Sequence, residues 1–245
     1  MLVNPGSSLG GARPKASIVD NDNNLWIAKF PSKNDAGDIG GWEMVTYELA
    51  IAVGINMAKC QARKFTSDCH TFLTKRFDRT SYGKRIHFTS AMTQLGYTDG
   101  ADATTGVSYL ELVDFITRYG ASVENDLREL WRRIVFSICV SNTDDHLRNH
   151  GFLLTNSGWH LSPAFDINPV ENGTGLKLNI SENDNALELD LALEVHEYFR
   201  LDKSKAFAIM ETVKGAVSKW RDIATKYGIS KSNQEMKATA FRVVE

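Results

Sequence analysis

The sequence predicts an α+β fold with a small β-rich lobe at residues 1–77 and a larger helical lobe at residues 78–245. Two observations support this division. Before Asp78, short apolar runs separated by turn-forming residues are typical of strands and hairpins. After Asp78, apolar residues recur at intervals of three and four over long stretches, as on one face of an amphipathic helix. The chain has no internal repeat and no low-complexity segment.

The elements expected in the N-terminal lobe are short. In chain order they are a turn-rich segment 5–14, a strand 15–19, a polar turn 21–24, a strand 25–30, a helix 42–53 and a strand 71–77. The polar turn consists of Asn and Asp residues, so the strands on either side of it are expected to form a hairpin. The helix is indicated by Val45, Leu49 and Val53 at helical spacing, and Gly54 ends it.

The C-terminal lobe is predicted to be helical. Helices are expected over residues 109–119, from residue 122 to about residue 140, over residues 202–227 and over residues 230–244. Gly120 and Gly228 close the first and third of these helices, because glycine commonly follows the last helical turn. The second helix places Leu127, Ile134 and Ile138 on one face.

Composition and charge restrict the functional classes. The chain has 245 residues, 42% of them hydrophobic, which is enough for one large globular unit or two small lobes. With 28 basic and 30 acidic residues the net charge is −2, so direct nucleic-acid binding is not expected. The three cysteines lack CxxC spacing and suit a reducing cytosol. No apolar run reaches the roughly 18 residues of a membrane span, and the N-terminus lacks a signal-peptide core, so a cytoplasmic protein is expected.

The strongest functional signal is the ordered set of Asp144, Asn149 and Asp166. This is the carboxylate–amide–carboxylate order of a kinase active site, where one carboxylate orients the attacking hydroxyl and the other two groups hold Mg²⁺ on ATP. Aspartate is a weak base, so Asp144 is expected to orient the hydroxyl and to accept its proton late. By itself, Asp144 would more often belong to a turn that hydrogen-bonds its own backbone, but the ordered set favours phosphoryl transfer.

Several other residues could bind the phosphates of ATP. Lys29 ends a predicted strand and could reach the phosphates, and Glu43 opens the following helix and could pair with Lys29. Each alone is more often a solvated surface charge, but their strand-then-helix order favours a functional pair. Gly10 and Gly11 would let the backbone approach a phosphate closely, and Lys15 would add positive charge. Ordinary turns use the same glycines, so this pair supports the site without defining it.

His146 and His150 stand four residues apart, a spacing that also occurs in helical zinc sites. The glutamate that acts as the general base in such metalloproteases is missing between them, and no third ligand follows at a usual spacing. Zinc is therefore the weaker alternative. His146 is expected instead to support the catalytic loop by hydrogen bonding.

With these motifs, the chain resembles the HipA-type toxin kinases of bacterial toxin–antitoxin modules. The matching segments are Ser8-Leu9-Gly10-Gly11-Ala12-Arg13-Pro14-Lys15, Ala28-Lys29-Phe30, Glu43 ahead of Leu49-Ala50, Arg76-Phe77-Asp78-Arg79, Thr143-Asp144-Asp145-His146-Leu147-Arg148-Asn149 and Leu161-Ser162-Pro163-Ala164-Phe165-Asp166. They follow the family order from residue 8 to about residue 180. The resemblance implies a two-lobed protein-kinase-like (HipA-like) fold and the phosphorylation of Ser or Thr on a protein with ATP and Mg²⁺.

The resemblance also implies roles for individual residues. Asp144 would be the catalytic aspartate, and Asn149 and Asp166 would be the Mg²⁺ ligands. Lys29 would bind phosphate, and His146 would lie near the phosphates. The backbone of the adenine-side hinge would be formed by Arg76, Phe77 and Asp78.

Regulation and partners are further implications of the resemblance. Ser8 matches the glycine-loop serine that such kinases phosphorylate on themselves, with Ser7 as the adjacent alternative. A phosphate there would add about −1.5 to −2 charge beside the triphosphate, so repulsion would oppose closure of the loop. Family substrates include aminoacyl-tRNA synthetases, and the usual partner is a helix-turn-helix antitoxin that binds operator DNA. Family members commonly carry an additional N-terminal domain, so a short form or a fragment is expected, and Lys75 replaces a common acidic residue at the hinge.

Two other functions stay open at the level of the sequence. A phosphoinositide-type lipid kinase also places Asp before His and Asn in its catalytic loop, although this chain lacks a basic run for an anionic membrane. A non-catalytic ATP-binding or antitoxin-binding relic of a kinase is the second alternative. Retention of Lys29, Asp144, Asn149 and Asp166 argues against such a relic.

Overall fold

The computed structural model describes residues 2–5, 13–65, 67–80 and 82–245, the first segment by its backbone. The strands are β1 (Leu2–Pro5), β2 (Lys15–Val19), β3 (Leu25–Lys29), β4 (Cys60–Arg63), β5 (Thr71–Lys75), β6 (His87–Ser90), β7 (Gly151–Thr155) and β8 (Gly158–Leu161). The α-helices are α1 (Ile39–Ala52), α2 (Ala91–Gln94), α3 (Tyr109–Tyr119), α4 (Val123–Cys139), α5 (Leu189–Glu194), α6 (Lys203–Val217), α7 (Trp220–Lys226) and α8 (Lys231–Lys237). Short 3₁₀ helices lie at Ala103–Thr105, His196–Phe199 and Ala238–Phe241. No helix in these segments combines the length and apolar character needed to cross a lipid bilayer.

Five strands near the N-terminus form an antiparallel sheet in the order β1-β2-β3-β5-β4. The expected hairpin is confirmed as β2 and β3, whose register places Lys15 opposite Lys29. The expected helix and the strand after it are confirmed as α1 and β5. The sequence does not predict the edge strand β4, because Cys-Gln-Ala-Arg lacks a clear apolar alternation.

A second, three-stranded antiparallel sheet has the order β6-β7-β8. Pairing of Phe152 with Leu161 and of Thr155 with Gly158 makes β7 and β8 a hairpin. The residues just before β7 and just after β8 therefore lie at the same end of this hairpin. Asn149 precedes β7 and Asp166 follows β8, so the hairpin brings together two chain segments that the sequence alone keeps apart.

The start of α1 depends on a close backbone approach to β5. Asp38 caps the helix by accepting the N–H of Gly41 at 2.9 Å, and it also accepts the N–H of His70 at 2.8 Å. This shared acceptor brings the first helical turn against the chain entering β5. A Cβ on Gly40 would stand only 2.2 Å from the carbonyl oxygen of His70, so the contact requires glycine.

The main hydrophobic core is built around α4. Leu127, Leu130, Trp131, Ile134 and Ile138 of this helix are fully buried. Helices α3, α5 and α6 pack around them, and their buried residues belong to one continuous cluster with those of α4. The buried face matches the helical period of the sequence, which is why α3 and α4 are confirmed close to their expected bounds.

The same core extends to α1. The Trp42 ring lies 5.9 Å from the Trp220 ring and 6.2 Å from the Phe241 ring. Glu48 of α1 accepts the Lys226 ammonium at 2.7 Å. The helix therefore packs on α7 and on the C-terminal 3₁₀ helix as well as on the small sheet. The lobe boundary between residues 77 and 78 stays a prediction.

The two C-terminal helices expected from the sequence differ from those observed. The single helix expected over residues 202–227 is wrong, because residues 218–219 separate α6 from α7. Lys219 donates its N–H to the carbonyl three residues back, on Ala216, which breaks the α-helical register. The interruption accompanies a stacked contact of Trp220 on Phe241, with ring centroids 4.4 Å apart. The helix expected over residues 230–244 ends as α8 at Lys237 and continues as the 3₁₀ helix.

Gly40→Ala is expected to lower the free energy of unfolding by about 1–3 kcal/mol, because the new Cβ would be forced against the backbone of His70. Gly215→Ala is the matched control. Gly215 lies inside α6 with open space where a Cβ would point, so the same change is expected to be neutral or to stabilise by about 0.5–1 kcal/mol. Urea unfolding followed by circular dichroism would measure both variants, and equal stabilities would contradict the close approach.

Candidate active site

Lys29 lies at the centre of the candidate site. Its side chain at the end of β3 is buried, and its Nζ is 2.5 Å from Glu43 Oε1 and 2.6 Å from Asp166 Oδ1. The expected Lys29–Glu43 pair is therefore present, and Asp166 joins it. The consecutive elements β3 and α1 meet a segment 137 positions further along the chain at this ion triad, which we define as Lys29, Glu43 and Asp166.

Burial and charge act in opposite directions on the triad. Burial disfavours the Lys29 ammonium, but the two carboxylates outweigh it and raise the pKa of Lys29. Burial raises the pKa of Glu43 to about 7, against the opposing effect of Lys29. For Asp166, burial acts upward, but Lys29 outweighs it and the pKa is lowered. Lys29 therefore stays protonated and Asp166 ionised at neutral pH, and Glu43 is the carboxylate that takes up a proton first.

The backbone at Asp166 has an unusual conformation. Its φ of 60° lies in the left-handed region, which non-glycine residues seldom adopt and which often occurs at functional sites. Neighbouring hydrogen bonds hold the segment: Asn168 donates its N–H to Asn142 Oδ1 at 3.2 Å, and Thr46 Oγ1 donates to the Ile167 carbonyl at 2.7 Å. The carboxylate is therefore presented from a fixed backbone, with 35% of its side chain exposed.

The predicted catalytic loop begins just after α4. Ser141 also has a left-handed φ, of 48°, and turns the chain out of the helix. Asp144 then lies exposed at the surface, while Asn149 is largely buried. Asn149 Nδ2 donates to the backbone carbonyl of Asp144 at 3.0 Å. This bond closes the loop and fixes Asp144 relative to Asn149.

His146 and Lys15 also face the site. Both favour the ionised form of Asp166, after the larger effect of Lys29. The pKa of Lys15 is lowered, with burial as the main cause. His146 Nε2 is 3.2 Å from Arg148 Nη2, and its buried Nδ1 has no hydrogen-bond partner among the residues that the structure describes. Two groups that the sequence analysis placed near phosphates therefore lie around the same carboxylate.

The oxygen ligands that Asp166 and Asn149 could supply suit a magnesium ion better than zinc. In the described part of the chain, no three His, Cys, Asp or Glu side chains gather as a metal site. Mg²⁺ is usually bound by one or two protein oxygen ligands together with phosphate and water. Asp166 offers a carboxylate, and Asn149 Oδ1 is left unused by the hydrogen bonds among the described residues. His146 and His150 contact different partners, Arg148 and Asp145 respectively.

The predicted hinge lies between β5 and β6. The N–H of Arg76 donates to the Leu25 carbonyl, and the carbonyl of Asp78 accepts the N–H of Ile86. Among the described residues, the N–H and carbonyl of Phe77 have no partner, so they offer one donor and one acceptor to a flat heterocycle. The Phe77 ring lies 5.6 Å from the Phe165 ring, next to Asp166. Of the three expected hinge residues, Phe77 is the one with both backbone groups unpaired among the described residues, and its role in adenine binding stays a prediction.

Four expected site residues lie outside the described residues. They are Ser7, Ser8, Gly10 and Gly11. Their roles in phosphate binding and self-phosphorylation stay predictions.

A buried network beneath the catalytic loop is not evident from the sequence. Asp145 is buried, and it accepts the Tyr109 hydroxyl at 2.6 Å. His150 Nε2 lies 3.0 Å from the other carboxylate oxygen, and the His150 ring packs edge-on against Tyr109. Burial acts to raise the pKa of Asp145, but His150 and the Tyr109 hydroxyl outweigh it and lower the pKa. The sequence of the Asp-Asp pair does not reveal that Asp144 is exposed and Asp145 buried. The difference arises from α3, whose Tyr109 hydroxyl binds Asp145.

Comparisons with known proteins agree on one protein family. A sequence profile described as HipA-like C-terminal domain matches residues 7–220. A Haemophilus influenzae protein described as "Putative kinase" is 26% identical over 179 residues, which are 66% of this chain and 52% of that protein. The chain thus spans about half the length of this curated relative.

Two solved structures share the fold. A chain of the HipA, HipB and operator DNA complex from the Shewanella oneidensis toxin–antitoxin system matches with a TM-score of 0.72 and 18% identity, over 98% of this chain and 64% of that one. The proinflammatory kinase CtkA from Helicobacter pylori matches with a TM-score of 0.56 and 17% identity, over 92% of this chain and 95% of that one. The expected HipA-like kinase fold is confirmed by these similarities.

Tyr109→Phe is expected to lower the free energy of unfolding by about 1.5–3 kcal/mol, because the buried Asp145 carboxylate would lose a hydrogen bond. Tyr119→Phe on the same helix is the matched control, since 58% of Tyr119 is exposed and its hydroxyl is expected to contribute little. Urea unfolding would measure both variants. A Tyr109→Phe protein as stable as Tyr119→Phe would show that the network does not support the loop.

Proposed function

Because the chain belongs to the HipA-like C-terminal domain family, we propose that it is a protein kinase that transfers phosphate from Mg²⁺-ATP to a Ser or Thr hydroxyl. The observation that carries this proposal is the ion triad. Lys29 Nζ pairs with Glu43, which is the lysine–glutamate ion pair that a protein kinase uses to place a lysine on the nucleotide phosphates, and Asp166 contacts the same ammonium. The fold and the order of the site residues agree with it.

Lys29 is the group that binds the α- and β-phosphates. Its pKa is raised by the two carboxylates, so it presents a permanent positive charge to the phosphates. Glu43 would keep the Lys29 ammonium oriented if Asp166 bound Mg²⁺ instead of the lysine. Lys15 and His146 lie around Asp166 and contribute further charge and hydrogen-bonding capacity at the phosphates. The Phe77 backbone receives the adenine ring.

Asp166 and Asn149 are the residues that would hold Mg²⁺. When bound, Mg²⁺ neutralises charge on the phosphates and fixes their orientation. Asp166 is ionised, as a carboxylate that binds a metal must be, and its partly exposed side chain can be reached by a solvated ion. Asn149 supplies a neutral oxygen, and its amide nitrogen remains bonded to the catalytic loop.

Asp144 orients the acceptor hydroxyl. It is the exposed carboxylate of the loop, so a substrate can reach it, and its own carbonyl is tied to Asn149. Transfer needs little covalent help from the protein, so this carboxylate positions the oxygen and accepts its proton as the new P–O bond forms.

Ser8 is proposed as a site of self-phosphorylation, with Ser7 as the adjacent alternative. The support is the resemblance of the segment from Ser8 to Lys15 to the family glycine loop. As in the family, added negative charge beside the nucleotide phosphates would oppose closure of the loop by repulsion and reduce activity.

The proposed partners follow the family. The Shewanella oneidensis neighbour occurs in a complex of HipA, HipB and operator DNA, so a helix-turn-helix antitoxin is the proposed regulator of this chain. A protein of the translation machinery, such as an aminoacyl-tRNA synthetase, is the proposed substrate, which places the protein in the cytoplasm.

Asp144→Asn is expected to abolish transfer, with a loss of about 10²–10⁴-fold or more, and to leave nucleotide binding nearly unchanged. Intact-mass spectrometry after incubation with Mg²⁺-ATP would measure self-phosphorylation, and peptide mapping would test Ser8 and Ser7. The control is Asp190→Asn, an exposed substitution on α5. Full activity in Asp144→Asn would refute its role, and ATP binding without any transfer by the wild type would favour a non-catalytic module.

Asp166→Asn is expected to weaken Mg²⁺-dependent ATP binding by about 10–100-fold, because a charged metal ligand is replaced by a neutral one. A fluorescent ATP analogue titrated with and without Mg²⁺ would separate the metal-dependent part of binding from the rest. Asp190→Asn again serves as the control. An unchanged Mg²⁺ titration in Asp166→Asn would contradict the metal-binding role.

A further inference from the structure

A groove of about 730 Å³ opens on the helical part, outside the ATP site. Its lining is largely apolar and comes from α3, from the segment after α2 and from the 3₁₀ helix at His196–Phe199. Leu95, Leu110, Val113 and Tyr198 contribute the apolar surface. Tyr198 is 55% exposed, so a large ring at the groove is available for contact.

The charged residues that line this groove are all acidic. Glu111, Asp114 and Glu182 line it, and no Lys, Arg or His is among the lining residues. Glu111 is held by the Tyr97 hydroxyl at 2.9 Å. Asp114 pairs with Arg118, but both side chains are more than half exposed, so solvent weakens the pair. Glu182 is exposed and takes part in no ion pair among the described residues.

The groove adjoins the catalytic loop. A second cavity, of about 170 Å³, is lined by Asp144, His146 and Arg148. Residues of one segment, 92–98, line both spaces: Met92 and Thr98 face the cavity, and Leu95 and Tyr97 face the groove. A chain whose hydroxyl reaches Asp144 can therefore continue across this segment into the groove.

We propose that the groove binds a basic and apolar segment of the protein substrate, next to the Ser or Thr that enters the cavity at Asp144. This inference rests on the proposed kinase function and adds the chemistry of the substrate to it. Lys or Arg side chains of that segment pair with Asp114 and Glu182, and its apolar side chains contact Leu95, Val113 and Tyr198. Charge complementarity of this kind selects partners and speeds their association.

The test compares two short fluorescent peptides by anisotropy. Each contains one serine and several leucines, and one carries arginines where the other carries glutamates. The wild type is expected to bind the arginine peptide about tenfold more tightly than the glutamate peptide. Two added charge contacts that together contribute ~1.4 kcal/mol give this ratio. Asp114→Asn combined with Glu182→Gln is expected to remove that preference. Tyr198→Ser is expected to weaken the binding of both peptides.

The control removes the same charge elsewhere. Asp22→Asn combined with Glu211→Gln alters two exposed acids that do not line the groove, and Glu211, like Asp114, forms an exposed ion pair within its helix. This variant is expected to keep the preference for the arginine peptide. Equal binding of the two peptides by the wild type, or a preference that survives the Asp114 and Glu182 substitutions, would overturn the inference.

Phosphate transfer to the same peptides separates this inference from the kinase proposal. With Mg²⁺-ATP, the groove substitutions are expected to raise the KM for the arginine peptide about tenfold, which corresponds to the same ~1.4 kcal/mol. The kcat for this peptide and the KM for ATP are expected to stay unchanged. Charge-selective binding without any transfer would count against the kinase activity and not against the groove. Transfer at equal KM in the wild type and the groove variant would count against the groove alone.

Discussion

The ammonium of Lys29, enclosed by Glu43 and Asp166, is the interaction on which the rest of the site depends. Removing ions from water costs several kcal/mol each, and their attraction offsets this only when the geometry is tight. Here each member is held by a different element: β3 carries the lysine, α1 carries Glu43, and the segment after β8 carries Asp166. Displacing one element would leave a buried charge without its partner. The triad therefore couples the small sheet to the helical part of the molecule.

Helix α1 is the element that transmits this coupling. Its glycine start is held against β5, while Trp42 lies beside two aromatic rings near the C-terminus. Thr46 bonds the residue after Asp166. One helix thus contacts the sheet, the segment that carries Asp166 and the C-terminal core. Because α1 is buried on several faces, its apolar residues are distributed around the helix. A single amphipathic pattern therefore describes it poorly.

The sequence predicts the parts of the molecule that have a period or an ordered motif. Helices α3 and α4 follow from their apolar spacing, and Asp144, Asn149 and Asp166 follow from their order. The short strands β4 and β6 are polar, and the break between α6 and α7 is set by the packing of Trp220 on Phe241. The Tyr109–Asp145 bond joins residues 36 positions apart, so no local pattern contains it. These features depend on tertiary contacts, and no local sequence pattern indicates such contacts.

The last described segment also determines when the site can be complete. Lys237 is buried, donates to the Pro169 carbonyl at 3.3 Å and lies over the Trp42 ring, four residues before Phe241. Both α1 and the segment after Asp166 therefore rest on residues that a ribosome adds after every other residue of the site. During synthesis, the segments that carry Lys29, Glu43 and Asp166 therefore emerge before the residues that support them. The contacts of α1 with Phe241 and of the Pro169 carbonyl with Lys237 therefore form only late in synthesis, after the segments of the ion triad have emerged.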